Sequence, residues 1–173
     1  MKYLIDYNQI PGDMERISRV LGHPEFQNSM CAIHILEKER IFCRHGMEHL
    51  LDVARIAYII NLENGYGILK DVIYAMGLLH DVGKYLQYTD KIPHEISSAK
   101  MGRKILEDAG YTKEECDVIC EAIYNHRSAD ALTKDVLSRI LYQADKLSRA
   151  CYACEASAEC NWSEEKKTPG VIA

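Results

Sequence analysis

Apolar residues recur along most of the chain at steps of three and four, the spacing that places them on one face of an α-helix. The clearest stripe covers residues 44–62, where Val53, Ile56 and Ile60 follow His49 at steps of four, three and four. No run alternates apolar and polar residues for long enough to predict a strand. The pattern therefore predicts an all-α protein, a compact bundle of several helices in one domain.

Breaks in the stripes predict where the helices begin and end. Thr112 and Glu115 fit a capping box, and Thr133 is the expected cap of the last long helix. Residues between Gly83 and the next helix, Pro93 among them, are expected to form a loop, and the last eleven residues are expected to fray. The predicted helices are a short one from Asp13 to Gly22, one around 26–33, and others at 44–62, 68–80, 97–109, 112–126 and from 133 toward the 150s.

The length, composition and net charge of the chain limit the kinds of protein that it could be. The chain has 173 residues, of which 47% are hydrophobic, enough to bury a core in one domain. Its net charge of −5 gives no reason to expect a nucleic-acid polymer as a partner. No apolar stretch approaches the roughly 18 residues of a membrane span, and the first residues do not resemble a signal peptide. We therefore expect a cytoplasmic protein that has no membrane partner.

Seven cysteines, an odd number, favour reduced thiols over a set of disulfides in a cytoplasmic chain. Cys151, Cys154 and Cys160 lie close together near the end of the sequence. A structural zinc ion would need a fourth ligand, from Cys43 or a histidine. The alternative is that the thiols pack the terminal helix, and Trp162 beside them is expected to cover apolar surface.

Polar residues that continue or end the apolar stripes are the features that carry chemistry. Burying imidazoles and carboxylates without partners would cost several kcal/mol. A metal centre removes this cost by turning their lone pairs into ligand bonds, although each could also be a hydrogen-bonded core residue. The residues in such positions are His49, His80, Asp81, His126 and Asp145.

Three short motifs give these residues a recognisable order. His49 begins HLLDVARIA, HDVGK spans 80–84, and ADK spans 144–146. This order resembles the HD-domain superfamily of metal-dependent phosphohydrolases, over about residues 44–150. The N-terminal helices at 1–43 and the cysteine-rich tail at 151–173 lie outside the resemblance.

The resemblance implies a ligand set for one or two divalent metal ions. Four residues match the ligands of the first ion, namely His49, His80, Asp81 and Asp145. His94 and His126 match positions that complete a second site in the binuclear subfamilies. The set of six is loosely similar to bacterial HD proteins that split dinucleoside tetraphosphates. The metal could be Fe, Mn, Co, Ni or Zn.

Further residues are expected to contact the substrate. Lys84 matches the lysine of the family motif and, with Asp81, is expected to be catalytic, because an ammonium group beside a metal suits a phosphate oxygen. Arg127 and Arg149 are further candidates, although each could pair with a surface acid.

His45 lies four residues before His49, so it could be a metal ligand. Because the family pattern favours His49 as the ligand, we expect His45 to face the substrate or to lie beside the ligands.

Glu95 directly follows His94 and could act as an acid or base, or it could be an exposed residue at a helix start.

The whole pattern implies hydrolysis of a phosphoester or phosphoanhydride in a small, nucleotide-type molecule. The alternatives are a nucleotide-binding HD sensor without activity, an HD-type di-iron oxygenase, and a structural helical protein. The oligomeric state stays open.

Overall fold

The computed structural model describes residues 14–171 and contains eight α-helices and no strand within that range. The prediction of an all-α protein is confirmed, whereas the predicted cap Asp13 lies outside the described residues. In chain order the helices are α1 (Glu15–Gly22), α2 (Pro24–Leu36), α3 (Met47–Glu63), α4 (Lys70–Leu79), α5 (Lys84–Thr89), α6 (His94–Ala109), α7 (Lys113–Asn125) and α8 (Val136–Leu147).

The core lies where α3, α4, α7 and α8 pack together, with α6 against α7 and α1 closing one side. The longer helices contribute the apolar stripes that their sequences predict, and burial of those stripes stabilises the bundle by about 25 cal/mol per Å² of apolar surface. The largest fully buried side chains include Leu50, Ile73, Met76, Leu79, Ile105, Ile119, Ile123 and Ile140.

A glycine sets the closest crossing in the bundle. A Cβ atom on Gly77 in α4 would lie 2.7 Å from the Cα atom of Ala54 in α3, closer than real Cβ atoms come. The backbones of α3 and α4 can therefore touch only because residue 77 has no side chain. This contact fixes the start of α3, which carries His49, against the end of α4, which carries His80.

Several helix boundaries differ from the predictions. The capping box of Thr112 and Glu115 is confirmed at the start of α7. The segment after Gly83 is not all loop, because Lys84–Thr89 forms α5, a helix too short to show a periodic stripe. Helix α6 begins at His94 rather than at 97, since Pro93 occupies the N-cap position and does not interrupt the helix.

The predicted cap of α8 is wrong. Thr133 ends a short 3-10 helix, and Asp135 caps α8 by accepting a hydrogen bond from the backbone N–H of Ser138 at 2.9 Å. A carboxylate two residues further along satisfies a free N–H of the first helical turn as well as threonine would.

The chain after α8 is neither a continued helix nor a frayed end within the described residues. Helix α8 ends at Leu147, and short 3-10 helices follow at Cys151–Ala153 and Glu164–Lys166. The side chain of Thr168 is buried and donates a hydrogen bond to the backbone oxygen of Lys146 at 3.0 Å. We call residues 150–171 the C-terminal segment.

Across residues 14–171, no helix is both long and apolar enough to cross a membrane. All seven cysteines fall within that range, and none of them forms a disulfide there.

Candidate metal centre

Five helix ends meet at one end of the bundle, and each brings polar side chains to the same point. His80 caps the C-terminus of α4 and Asp81 follows it, while His126 caps α7. The remaining members lie near the start of α3, at the start of α6 and in the last turn of α8, and they are His49, His94 and Asp145. The structure thus brings together all six residues predicted as metal ligands.

The first group contains two histidines and two carboxylates. The Nε2 atom of His49 lies 3.6 Å from Asp81 Oδ2 and 3.5 Å from Asp145 Oδ1. The Nε2 atom of His80 lies 3.3 Å and 3.9 Å from the same two oxygens. Ligand atoms at about 2.1 Å around a tetrahedral metal are separated by about 3.4 Å, so these distances suit a shared ion.

The second group uses the other oxygen of Asp81. Asp81 Oδ1 lies 3.0 Å from His94 Nε2 and 3.9 Å from His126 Nε2, and these two nitrogens are 3.2 Å apart. Asp81 therefore turns one carboxylate oxygen toward each group, the arrangement of a carboxylate that could bridge two ions.

The opposite ring nitrogen of each histidine contacts a protein oxygen. His80 Nδ1 is 2.7 Å from the carbonyl oxygen of Gly77, and His126 Nδ1 is 2.5 Å from that of Ile123. His94 Nδ1 contacts Gln87 Oε1 at 2.5 Å. Because carbonyl oxygens only accept, the Nδ1 atoms of His80 and His126 carry a proton, and in the neutral imidazole each Nε2 atom keeps its lone pair. His94 Nδ1 also lies 3.3 Å from Lys84 Nζ, and its shorter contact with Gln87 favours the same tautomer.

The orphaned atoms provide a test of whether a cation fits. His49 Nε2, His80 Nε2 and Asp81 Oδ1 are buried and have no hydrogen-bond partner among residues 14–171. The Nε2 atoms of His94 and His126 lie 3.2 Å apart, and both belong to neutral acceptors when Nδ1 carries the proton. Such crowding of acceptors is costly in the apo protein and is relieved by a cation, so the residues present fit one or two metal ions.

The electrostatics keep the group ready to bind a cation. Burial raises the pKa of Asp81, but the neighbouring histidines, His80 first, outweigh burial and hold it well below its ordinary value. Burial also raises the pKa of Asp145, and Arg149 and Lys146 outweigh it, so this pKa is lowered as well. Burial lowers the pKa of His126 to about 3, with the adjacent His80 acting in the same direction, and this leaves the His126 imidazole neutral.

Four of the six cluster residues line a cavity of about 860 Å³, and they are Asp81, His94, His126 and Asp145. Six basic side chains line this cavity against three acidic ones, although the chain as a whole carries a net charge of −5. The local charge therefore favours an anion. The basic residues are Arg40, Lys84, Arg127, Lys146, Arg149 and Lys166.

The predicted substrate-binding residues line this cavity, but the arginines already have partners. Arg149 Nη2 donates to Asp145 Oδ1 at 2.8 Å, so it pairs with a candidate ligand rather than with a surface acid. Arg127 donates a hydrogen bond to Glu95 at 3.1 Å. This hydrogen bond engages the carboxylate that was considered above as an acid or base. Lys84 is buried, with its Nζ 3.3 Å from His94 Nδ1.

His45 is buried beside the cluster and faces it with Nε2, 3.9 Å from Asp81 Oδ2. Its Nδ1 contacts Glu37 Oε1 at 2.5 Å, and its backbone N–H donates to Glu37 Oε2 at 2.6 Å. Tyr88 donates to Glu37 as well. His45 thus lies beside the ligand groups and lines the cavity, oriented by a carboxylate that has three partners.

Sequence reasoning missed Glu37, Gln87 and Trp162 as parts of this site. None of them belongs to a motif or ends an apolar stripe, so the sequence offered no signal beyond their polar or aromatic character. Trp162 was expected to cover apolar surface, but its ring lies against Arg149 and Lys146 at the cavity.

The cysteines of the C-terminal segment do not form the zinc site considered above. Among residues 14–171, two sets of three or more side chains have ligand atoms close enough to share an ion, and neither includes a cysteine: they are His49, His80 and Asp81, and Asp81, His94 and His126. Cys151 lies in a 3-10 helix, and Cys154 and Cys160 lie outside regular secondary structure, all after the end of α8 at Leu147.

Comparison with known proteins agrees with this geometry. The family model described as HD domain matches residues 46–150, more than half of the chain and all six cluster residues. The chain belongs to the HD-domain family. An uncharacterized protein of Clostridium beijerinckii is 42% identical over 154 residues, which are 89% of this chain and 96% of that protein. No solved structure matches the chain.

Proposed function

We propose that this HD-domain protein is a metal-dependent phosphohydrolase that cleaves a phosphoester or phosphoanhydride of a small, nucleotide-type molecule. One observation carries the proposal: Asp81 turns an oxygen toward each of two histidine groups beside a cavity lined by six cations. Such a site combines ligands for hard or borderline metals with side chains that attract phosphate.

The ligand roles follow the two groups. His49, His80, Asp81 and Asp145 would hold one divalent ion, and Asp81, His94 and His126 would hold a second. Bound divalent ions of this kind supply a water nucleophile at neutral pH and offset charge on the phosphoryl group. The donor set of imidazoles and carboxylates suits Fe, Mn, Co, Ni or Zn.

The protein's own side chains would bind and orient the substrate. Lys84 stands beside the cluster, where burial lowers its pKa and Asp81 acts in the opposite direction. Its ammonium group is placed to contact a phosphoryl oxygen and to offset the charge that develops on it. Arg149 offers a second contact, because it lines the same cavity beside the candidate ligand Asp145. Arg127, held by Glu95 at the cavity wall, would neutralise a more distant phosphate.

A small nucleotide suits the site better than a nucleic-acid polymer. The basic residues line a single cavity of about 860 Å³, and the net charge of the chain is −5. A polymer would need a broad basic surface. The proposed work of the protein is therefore on soluble phosphorylated metabolites in the cytoplasm, with no membrane partner.

The test is chromatographic detection of the nucleotide products, together with release of inorganic phosphate or pyrophosphate, by the full chain after reconstitution with Mn²⁺, Co²⁺ or Fe²⁺. Nucleoside mono-, di- and triphosphates and dinucleoside tetraphosphates are the substrates to screen. Lys84→Met is expected to lower kcat/KM about 100-fold. Its control is Lys104→Met, which removes an exposed lysine paired with Glu25 far from the cavity.

Two other results would replace the proposal. Product formation that requires Fe²⁺ and consumes oxygen would identify a di-iron oxygenase. Nucleotide binding without turnover in any metal would identify a sensor. Absence of both turnover and nucleotide binding after full metal loading would contradict the proposed function altogether.

A further inference from the structure

The C-terminal segment is fixed against the metal-bearing end of α8. Thr168 donates to the backbone oxygen of Lys146, one of the carbonyls that the end of a helix leaves without a partner. Lys167 donates to the backbone oxygen of Ser157 at 2.9 Å and to Glu164 at 2.6 Å, which holds the turns of the segment together. The segment therefore forms a defined wall of the cavity.

Trp162 is the aromatic side chain that this wall presents to the cavity. The guanidinium carbon of Arg149 lies 4.9 Å from the centre of the indole, and Lys146 Nζ lies 5.8 Å from it. The indole is partly exposed, and Asn161 beside it lines the same cavity. The ring is thus neither in the core nor free in solvent.

The two cations connect the indole to the metal centre. Arg149 Nη2 and Lys146 Nζ bind the two oxygens of Asp145, at 2.8 Å and 2.9 Å. A ligand that reaches from the cluster to Trp162 must pass these cations. Phosphate groups suit the cationic stretch, and a flat ring suits the indole face at its end.

We propose that Trp162 is the stacking platform for the base of the substrate, so that the C-terminal segment selects nucleoside phosphates over phosphate esters without an aromatic ring. This inference rests on the proposed function. It assigns a binding role to a segment that lies outside the matched HD domain, which ends at residue 150. Asn161 is placed to contact the edge of the same base.

Trp162 is the only tryptophan of the chain, so its fluorescence reports on this position alone. Two probes separate stacking from charge: the analogue of adenosine triphosphate with methylene groups in place of both bridging oxygens, and the equivalent analogue of tripolyphosphate, which lacks a base. The metal-loaded full chain is expected to bind both. Only the adenosine analogue is expected to quench the tryptophan fluorescence.

Calorimetric titration of variants gives a second readout. Trp162→Ala is expected to weaken binding of the adenosine analogue at least about fivefold and to leave the tripolyphosphate analogue within about twofold of wild type. Trp162→Phe is expected to retain most of the affinity. Tyr152→Ala is the matched control, because it removes an exposed aromatic residue of the same segment that does not line the cavity.

Each other outcome overturns the stacking role in a distinguishable way. Equal weakening of both analogues would mean that Trp162 only holds Arg149 and Lys146 in place. Unchanged binding of both would show that the ligand does not reach Trp162. Failure of the wild-type protein to bind either analogue would remove the proposed function and this inference together.

Discussion

Gly83→Ala tests how the HDVGK turn is locked to α6. A Cβ atom at residue 83 would lie 2.4 Å from Ser97 Oγ, 2.5 Å from Ser98 N and 2.7 Å from the backbone carbon of Ser97. Its φ of −85° is open to alanine, so the effect is one of space and not of backbone strain. Since two of the three contacts are backbone atoms, α6 itself has to move.

The expected loss of folding stability in Gly83→Ala has two parts. Overpacking a close contact typically costs about 1–3 kcal/mol. The move also breaks two buried hydrogen bonds, from Gly83 N–H to Ser98 Oγ and from Ser97 Oγ to the Gly83 oxygen, at about 1 kcal/mol each. We expect the free energy of unfolding to fall by about 3–5 kcal/mol in urea titrations of metal-free protein.

The same displacement should weaken one metal group more than the other. His94 lies one turn before Ser97 on α6, so it moves with the helix away from Asp81. The affinity for the second ion should fall, while the first group, which has no ligand on α6, is affected less. Gly22→Ala is the control, because no atom lies within 4 Å of a Cβ there. Unfolding of Gly83→Ala within about 0.5 kcal/mol of the control would refute this reasoning.

Two further predictions concern side chains that orient the site. Gln87→Ala removes the acceptor that fixes the proton on His94 Nδ1. The affinity for the second ion should therefore fall about 10- to 100-fold in metal titrations. The control is Gln143→Ala, which changes an exposed residue and should leave this affinity unchanged. Burial raises the pKa of Glu37, but hydrogen bonds from His45 and Tyr88 outweigh it and lower that pKa to about 2 from 4.5. The ionised carboxylate therefore adds up to about 3 kcal/mol of stability above pH 5, which is lost as the pH falls toward 2. Urea titrations should show Glu37→Gln less stable than wild type at pH 7, with a difference that shrinks below pH 4.5 and is nearly gone at pH 2; a constant difference across this range would contradict the assignment.

Most of the candidate metal ligands were predictable because they stand where an apolar stripe ends or continues, whereas His94 was predicted only from the resemblance to the HD-domain superfamily. His80 follows a fully apolar run and Asp145 shares the face of Leu137 and Leu141, so helical periodicity alone placed both at the core. The order of His49, the His80–Asp81 pair and Asp145 along the chain then indicated the HD-domain family. Confirmation of the HD-domain family came from the match over residues 46–150.

The residues around the ligands could not be predicted in the same way. Glu37 reaches His45 across a turn of eight residues that has no periodic pattern, and Trp162 reaches Arg149 only because the chain reverses after α8. Such contacts depend on tertiary packing and not on local spacing. Helix α5 was missed for a related reason, since its six residues span fewer than two turns.

The most direct test of the whole account is the number of metal ions that the full chain binds at equilibrium. Equilibrium dialysis against Mn²⁺ or Co²⁺ with elemental analysis avoids losses during purification. We predict two ions per wild-type chain, and loss of both in His80→Ala/Asp81→Ala. His23→Ala/Asp108→Ala removes a histidine–aspartate pair of similar spacing, 3.0 Å, at the surface, and it should retain both ions. Equal metal content in the two double variants would contradict the metal centre.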